Sequence, residues 1–370
     1  MPFSTTLAPW SDWRASVWVT RDRTKRSFTS NPPARLEPRR EAPRSGTPRQ
    51  NDPARVVSSL WTSEPQNVLK TAFMNPAASK HKLRSLMARP GLIRTLAPHD
   101  VFTAMIMEQA GLECLFLGGF GVSASMLGVP DLNLITVSEM ADAIRRLTSR
   151  LSIPVIADGD TGHGDAHNIR RTVELFESAG AAGILIEDQV MPKRCGHFAS
   201  KKVTSSEEFV RRIRTAVESR CDPDFLVFAR TDALASHGVE EAIRRVNLAA
   251  DVGAEAGFVE APRTLEELAT IPRRLKVPSL ANMLTGGTTP IVSTSRLEEL
   301  GYKFAVAPVE SLMVTAGAIQ SLCKAWLNEG RVDHLAAQAM PFANLKQALN
   351  VEHWLGTDPT SESGADDNRQ

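Results

Sequence analysis

The segment EDQVMPKRCGHF, residues 187–198, gathers two acids, two bases, a cysteine and a histidine around one proline and one glycine. Cys195 is flanked by Arg194, Gly196 and His197, with Lys193 just before them. That electropositive setting should lower a thiol's pKa from about 8.5 towards neutrality. Such a thiol can give or take a proton near working pH, an effect worth roughly 10² to 10⁴ in rate. Its plainer role is a small buried apolar residue, the usual fate of Cys114 or Cys323. A second group is acidic: Asp158, Asp160 and Glu187 are hard oxygen donors with no second histidine or cysteine beside them. This suits magnesium, with manganese as the alternative, better than zinc. Read alone, DGDTG (158–162) is equally a turn or a fragment of a calcium loop. Arg230 can grip a carboxylate or phosphate through two parallel hydrogen bonds, or it can pair with Asp232 or Glu260. His163, in TGHG, has no evident partner and reads as a loop histidine.

The elements that must position these groups are legible. Apolar runs of strand length recur at LIRTLAP, CLFLGG, PVIADGD, GILIED, FLVFAR, GFVEA, PSLANM and KFAVAP. Between them, segments such as AHNIRRTVELFESAG, SEEFVRRIRTAVESR and VEEAIRRVNLAADVG carry apolar residues at three- and four-residue steps, which marks amphipathic helices. Short buried strands each followed by a helix imply a parallel sheet covered by helices, and eight such units fit a closed (β/α)₈ barrel of the α/β class. A doubly wound open sheet is the alternative, but the first strand-to-helix turn lacks the glycine fingerprint of dinucleotide folds. In a barrel, chemistry collects at the carboxyl ends of the strands. The strands predicted here end at Gly118 and Gly119, Asp158 and Asp160, Glu187 and Asp188, Arg230 and Asp232, Glu260, and Asn282. The charged segment follows the fourth strand and must hang over that mouth.

Composition agrees with small-molecule chemistry. A chain of 370 residues, 42% hydrophobic and 23% charged, can bury a sizeable core. A formal charge of +1 argues against a dominant nucleic-acid or membrane-surface role. No apolar run of about 18 residues suggests a membrane span. The cysteines Cys114, Cys195, Cys221 and Cys323 are scattered, which points to a reducing compartment, the cytoplasm. Residues 1–73 are rich in arginine, proline, serine and threonine without apolar period and are expected to be a disordered extension. They could serve as an organellar transit leader, though Asp12, Asp22, Glu37, Glu41 and Asp52 make them less acid-poor than such leaders, or reflect a start upstream of Met74. The expected divisions are a catalytic barrel over 74–332, a helical segment over 333–355 and a disordered tail over 356–370.

DGDTGHG, IEDQVMPKRCGH, FARTDA, FVEAP and LANM, in that order, resemble the isocitrate lyase/phosphoenolpyruvate mutase superfamily over about residues 75–355. The KRCGH loop is similar to that of its short-chain carbon–carbon lyases, the branch of methylisocitrate lyase, dimethylmalate lyase and the petal death protein. The resemblance implies a barrel whose last helix is exchanged between subunits, a homodimer or homotetramer, and a magnesium requirement. It implies that Asp158 and Asp160 hold the ion directly or through water, with Asp131 and Glu187 nearby. Arg230, Glu260 and Asn282 would contact substrate, and Gly118 and Gly119 would offer backbone N–H groups to a carboxylate beside Phe120. Cys195 would be the general acid, on a gating loop with Lys193, Arg194, Gly196 and His197.

Some positions depart from the pattern. Phe116 stands where methylisocitrate lyases have a tyrosine suited to be the hydroxyl base, and Gly118 where they have a serine. Phe120 replaces a tyrosine of the petal death protein, and the single tyrosine, Tyr302, precedes the eighth strand. Met313 replaces an arginine suited to a third carboxylate, which disfavours a tricarboxylate. Pro308 replaces a serine associated with oxaloacetate hydrolases. The expected activity is therefore cleavage of a 2-hydroxy dicarboxylate, a small 2-alkylmalate, into a 2-keto acid and a carboxylic acid. The alternatives are phosphonate or oxaloacetate chemistry of the same superfamily, or a non-catalytic dicarboxylate binder.

Overall fold

The computed structural model describes residues 76–193 and 202–356. Eight strands are present: β1 (Ile93–Leu96), β2 (Leu115–Leu117), β3 (Val155–Asp158), β4 (Gly183–Glu187), β5 (Leu226–Thr231), β6 (Ala256–Val259), β7 (Ser279–Asn282) and β8 (Phe304–Ala307). Every predicted apolar run overlaps one of them. All seven ladders are parallel, in the order β1-β8-β7-β6-β5-β4-β3-β2, and β1 adjoins β2, so the barrel is nearly closed. The expected (β/α)₈ architecture is the one observed.

The two-residue alternation of a strand sorts each side chain to the lumen or the outer wall. Phe116, Ile156, Leu185, Phe228, Phe258, Leu280 and Phe304 pack together in one cluster, the inside of the barrel. Their neighbours Leu117, Ala157, Ile184, Ile186, Val227 and Ala229 belong to the layer between sheet and helices. That layer is completed by α4 (Val137–Thr148), α5 (Ala166–Ser178) and α6 (Ser206–Ser219), through Ile144, Phe176 and Phe209 among others. One further step along each strand reaches the mouth on the inner side. Gly118, Asp158, Glu187, Arg230, Glu260 and Asn282 each stand two residues beyond a lumen residue. The periodicity that buries the phenylalanines thus also aims the polar groups.

Before β1, α1 (Pro76–Ala88) sends Leu83 and Leu86 into the lumen cluster. α2 (Val101–Gln109) follows β1, capped by Asp100, which accepts from the Thr103 amide. β2 runs into a single helical turn, α3 (Gly119–Val122), and a wider π-type turn, Ser123–Leu127. α4 starts with a reciprocal cap between Thr136 and Glu139. α7 (Leu234–Ala250) is bent at Gly238, and α8 (Leu265–Arg274) and α9 (Thr294–Leu300) cover β6 to β8.

The last barrel helix is different. In α10 (Glu310–Glu329) only Ala325 is buried, and Met313, Val314, Ile319, Leu322, Trp326 and Leu327 are exposed. A 3₁₀ turn over Asp333–Gln338 leads to α11 (Phe342–Ala348) and α12 (Val351–Gly356). α11 touches α2, where the Gln109 side chain donates to Ala348 O at 3.2 Å. The expected disordered extension lies outside the described residues, as does the tail apart from Gly356. No helix of the described residues is long and apolar enough to cross a membrane.

Candidate active site

Two ionic clusters line the mouth. In the first, Arg230 is drawn to three carboxylates: Nε lies 3.0 Å from Asp232 Oδ2 and 3.3 Å from Glu187 Oε2, while Nη2 lies 3.2 Å from Glu260 Oε2. The β4–β5 register pairs Glu187 with Arg230 directly. The guanidinium also sits over the Phe258 ring, 5.3 Å from its centroid, a cation–π contact. Asn282 reaches the same Glu260, Nδ2 to oxygen at 3.5 Å. Pairing with Asp232 or Glu260, the plainer alternative to an anion grip at Arg230, is present with both acids.

The second cluster centres on Lys193. Its Nζ lies 2.6 Å from Asp131 Oδ1 and 2.6 Å from Asp160 Oδ1. Asp158 turns its carboxylate to the backbone, accepting from Asp160 N at 3.1 Å and Gly119 N at 3.4 Å. The Gly119 amide, expected to face a substrate carboxylate, donates here to the Asp158 carboxylate. Two loops hold this cluster in sparsely populated backbone: Asp160 has φ +49° and His163 φ +58°, and Ala261, just after Glu260, has φ +58°. Strained positions of this kind persist where the surrounding structure fixes them and gather at functional sites. Gly159 permits the turn after β3, since a Cβ there would stand 2.7 Å from the Ile184 side chain.

Charge at the mouth is out of balance. Asp131, Asp158, Asp160, Glu187, Asp232 and Glu260 are all buried, and among the described residues they face two cations, Lys193 and Arg230. The electrostatics follow. Burial pushes the Asp160 carboxyl up to about 7, against the pull of Lys193. Burial likewise holds Glu187 well above the carboxylate range despite Arg230. Burial opposes the charge on Lys193, but Asp160, Asp158 and Asp131 outweigh it and raise its pKa. Burial also lowers the pKa of His163.

The donor set fits a partly hydrated magnesium ion. Glu187 Oε1 is buried and accepts no hydrogen bond among the described residues, whereas buried Asp160 Oδ1 already faces a cation, Lys193 Nζ at 2.6 Å. Buried oxygens left so are costly unless a cation or water meets them. No three acids of the described residues converge into a ready-made ligand cage. That is compatible with magnesium, which keeps several waters and takes one or two carboxylates. Asp158, Asp160 and Asp131 would hold the ion, with Glu187 behind them.

Sequence reading missed the scaffold beneath these groups. Asp188 is fully buried and accepts from Thr231 Oγ1 at 2.6 Å, Asp232 N at 2.8 Å and Arg245 at 3.0 Å. It thereby fixes the turn that carries Asp232 beside Arg230. Arg212 donates to Glu187 O and Gln189 O, at 3.2 and 2.8 Å. Val190 N donates to Lys202 O and Thr204 N to Asp188 O, both at 2.8 Å, which ties together the two flanks of the segment that carries Cys195. Arg194, Cys195, Gly196 and His197 themselves lie outside the described residues.

Of the other predicted positions, Phe116 is a buried lumen residue and Phe120 is half-buried at the start of α3. Tyr302 is buried and donates to Leu268 O at 2.9 Å, away from the mouth acids. Met313 is exposed on α10.

Comparison with known proteins gives the family. The profile of the family described as phosphoenolpyruvate phosphomutase matches residues 83–327. The chain is 37% identical over 279 residues to 2,3-dimethylmalate lyase of Eubacterium barkeri, covering 75% of this chain and 96% of that protein. It is 40% identical over 248 residues to 2-methylisocitrate lyase of Aeropyrum pernix, covering 67% and 80%. Among solved structures, oxaloacetate acetylhydrolase bound to 3,3-difluorooxalacetate superposes with a TM-score of 0.72 at 31% identity, covering 79% of this chain and 100% of that one. A phosphonopyruvate hydrolase complexed with oxalate and Mg²⁺ gives 0.69 at 27% identity, covering 77% and 99%. The chain belongs to the phosphoenolpyruvate phosphomutase family, in the superfamily it shares with isocitrate lyase, and stands among the lyases of that superfamily.

Proposed function

We propose that this enzyme cleaves a small 2-alkylmalate, a 2-hydroxy dicarboxylate, into a 2-keto acid and a carboxylic acid, with magnesium as its cofactor. The observation that carries the reading is the surplus, among the described residues, of buried carboxylates over cations at the barrel mouth, with Glu187 Oε1 accepting no hydrogen bond from those residues. An anionic substrate cannot enter such a site without a cation beside it. Magnesium, when bound, supplies Lewis acidity that makes the substrate's 2-hydroxyl easier to deprotonate.

The chain's own residues do the rest. Arg230 gives the mouth a fixed positive group for a substrate carboxylate, and Asn282 and Glu260 shape the wall beside it. Gly118 and Gly119 line the end of β2 with backbone amides. Cleavage leaves electron density on the carbon next to the departing carboxylate, and Cys195 quenches it with a proton. Cys195 follows Lys193 by two residues in the sequence, on the segment that leaves the end of β4. Arg194 and His197 keep that thiol acidic enough to give up a proton at neutral pH.

Substrate size is read from Met313 and Pro308, which lack the arginine and the serine tied to tricarboxylates and to oxaloacetate hydrolysis in related enzymes. The likeness to oxaloacetate acetylhydrolase supports hydrolysis as a second reading. The exposed apolar row of α10 supports exchange of that helix with a second copy in a homodimer or homotetramer. Unpaired Cys114, Cys221 and Cys323 support a reducing, cytoplasmic setting.

The test is to incubate the purified full chain with 2-alkylmalates, methylisocitrate, oxaloacetate and phosphonopyruvate, with and without Mg²⁺, and identify the products. A magnesium-dependent 2-keto acid from an alkylmalate is expected. Turnover of oxaloacetate or phosphonopyruvate with no alkylmalate cleavage would overturn the reading.

A further inference from the structure

Lys193 is the ammonium that enters the acid-rich half of the mouth, and it is buried to 3% exposure. Its hydrogen bond to Asp131 and its charge contact with Asp160 are both 2.6 Å long. A Cβ built on Gly119 would stand 3.7 Å from Nζ, 3.7 Å from Asp158 Oδ2 and 3.8 Å from Asp131 Oδ1. The ammonium and these carboxylates therefore share one small volume, the same volume whose hard oxygens suit a divalent ion.

We infer that Lys193 is a built-in counter-ion, its ammonium standing at the cation position between Asp131 and Asp160 and competing with magnesium for them. The inference rests on the magnesium-dependent reading above. Two cations cannot hold the same oxygens at about 2–3 Å without strong mutual repulsion in a buried site. Magnesium at 2.0–2.1 Å from an aspartate oxygen must therefore displace the ammonium from that oxygen. The exchange replaces one positive charge by two, which brings a site holding surplus acids nearer to neutrality. It also explains why the metal-free protein tolerates several buried carboxylates together: lysine screens them until the metal arrives. Lys193 is then a residue that tunes metal affinity, in addition to any contact with substrate.

Calorimetric titration of the full chain with MgCl₂ alone tests this, comparing wild type with Lys193→Met and Lys193→Arg. Removing the competing charge should tighten Mg²⁺ binding by about tenfold or more, one 1.4 kcal/mol step. The arginine variant, with a permanent and bulkier charge, should bind more weakly than Lys193→Met. Metal-free Lys193→Met should melt at lower temperature than wild type, and saturating Mg²⁺ should raise its melting temperature by more than it raises that of wild type. Equal or weaker Mg²⁺ binding by folded Lys193→Met overturns the inference and leaves the magnesium reading intact. If Lys193→Met folds only with Mg²⁺ present, affinity in Lys193→Arg equal to or tighter than wild type overturns it. Failure of the wild type itself to bind Mg²⁺ overturns both.

Discussion

The two ends of the barrel are both rich in ion pairs, yet they are built to opposite rules. At the amino-terminal end, Lys80 meets Glu177 and Asp222 at 2.9 and 3.0 Å, Arg84 meets Asp224 at 2.8 Å and Glu255 at 3.3 Å, and Arg220 meets Glu255 at 2.6 Å. Three cations face four acids, and Asp222, Asp224 and Arg84 are partly open to solvent. Glu177 is further satisfied by the amides of Cys221 and Asp222. At the mouth, six buried acids face two cations among the described residues, and Glu187 keeps an oxygen that accepts no hydrogen bond from those residues. A balanced, screened network only fastens α1 to the barrel floor. An unbalanced, buried one stores a demand for positive charge, and that demand is what a metal and an anionic substrate together can meet.

The sharpest way to break this contrast lies at the mouth. Cys195→Ser keeps the size of the side chain and removes its acidity, so product formation should fall by roughly 10²- to 10⁴-fold. Mg²⁺ affinity should stay within a few-fold of wild type, because the proposed metal-holding groups are Asp158, Asp160 and Asp131. Full turnover by Cys195→Ser, measured by keto-acid release, would remove the thiol from the reaction.

Next in size is stability. Arg230→Met leaves Glu187, Asp232 and Glu260 without their shared cation, and breaking a buried pair in this way costs about 3–5 kcal/mol. Lys80→Met, made at the other end, should cost about 1–3 kcal/mol, since Asp222 can turn to water. Denaturant unfolding of the two variants measures the difference. Equal losses would mean that the floor and the mouth are not distinct.

A pH series separates the ends more finely. Asp160 titrates at about 7 in the folded chain against 3.8 when free. The folded protein therefore holds a proton there that the unfolded chain has released, so this group's stabilising effect is fully present below about 3.8 and is lost as pH rises to about 7. Magnesium needs the ionised form, so apparent Mg²⁺ affinity should climb by up to about tenfold per pH unit towards pH 7 and flatten above it. Affinity independent of pH between 5 and 7 would separate Asp160 from the metal.

How far the sequence foretold all this differs between local and distant relations. Strand positions and the inward aim of Asp158, Glu187, Arg230, Glu260 and Asn282 follow from apolar runs with a two-residue period, which are local. The contacts that give those groups their character are not local. Lys193 meets Asp131 across 62 residues, and Arg245 meets Asp188 across 57. Neither pairing leaves a mark in the periodicity of its own segment. Asp188 and Arg245 each have plausible surface roles when read alone, and only the closed ring brings them into one buried scaffold. The same applies to Arg230: both an anion grip and internal pairing were open to it, and only the closed ring brings Glu187, Asp232 and Glu260 together beside it.

Tyr302 supplies the smallest and most discriminating test. It is the chain's single tyrosine, the residue type that serves as hydroxyl base in related lyases, yet it precedes β8 and so lies at the floor end. Its ring packs with Leu268, Ala281, Leu297 and Leu300, and its hydroxyl donates to Leu268 O. Burial raises its pKa, so the phenolate that would act as the base is harder to form than in a free tyrosine. Tyr302→Phe should therefore cost about 0.5–1.5 kcal/mol of stability, the worth of one hydrogen bond, and leave kcat unchanged. A large loss of kcat in a folded Tyr302→Phe protein would carry chemistry to the floor of the barrel, and the division between a fastened end and a reactive end would fall with it.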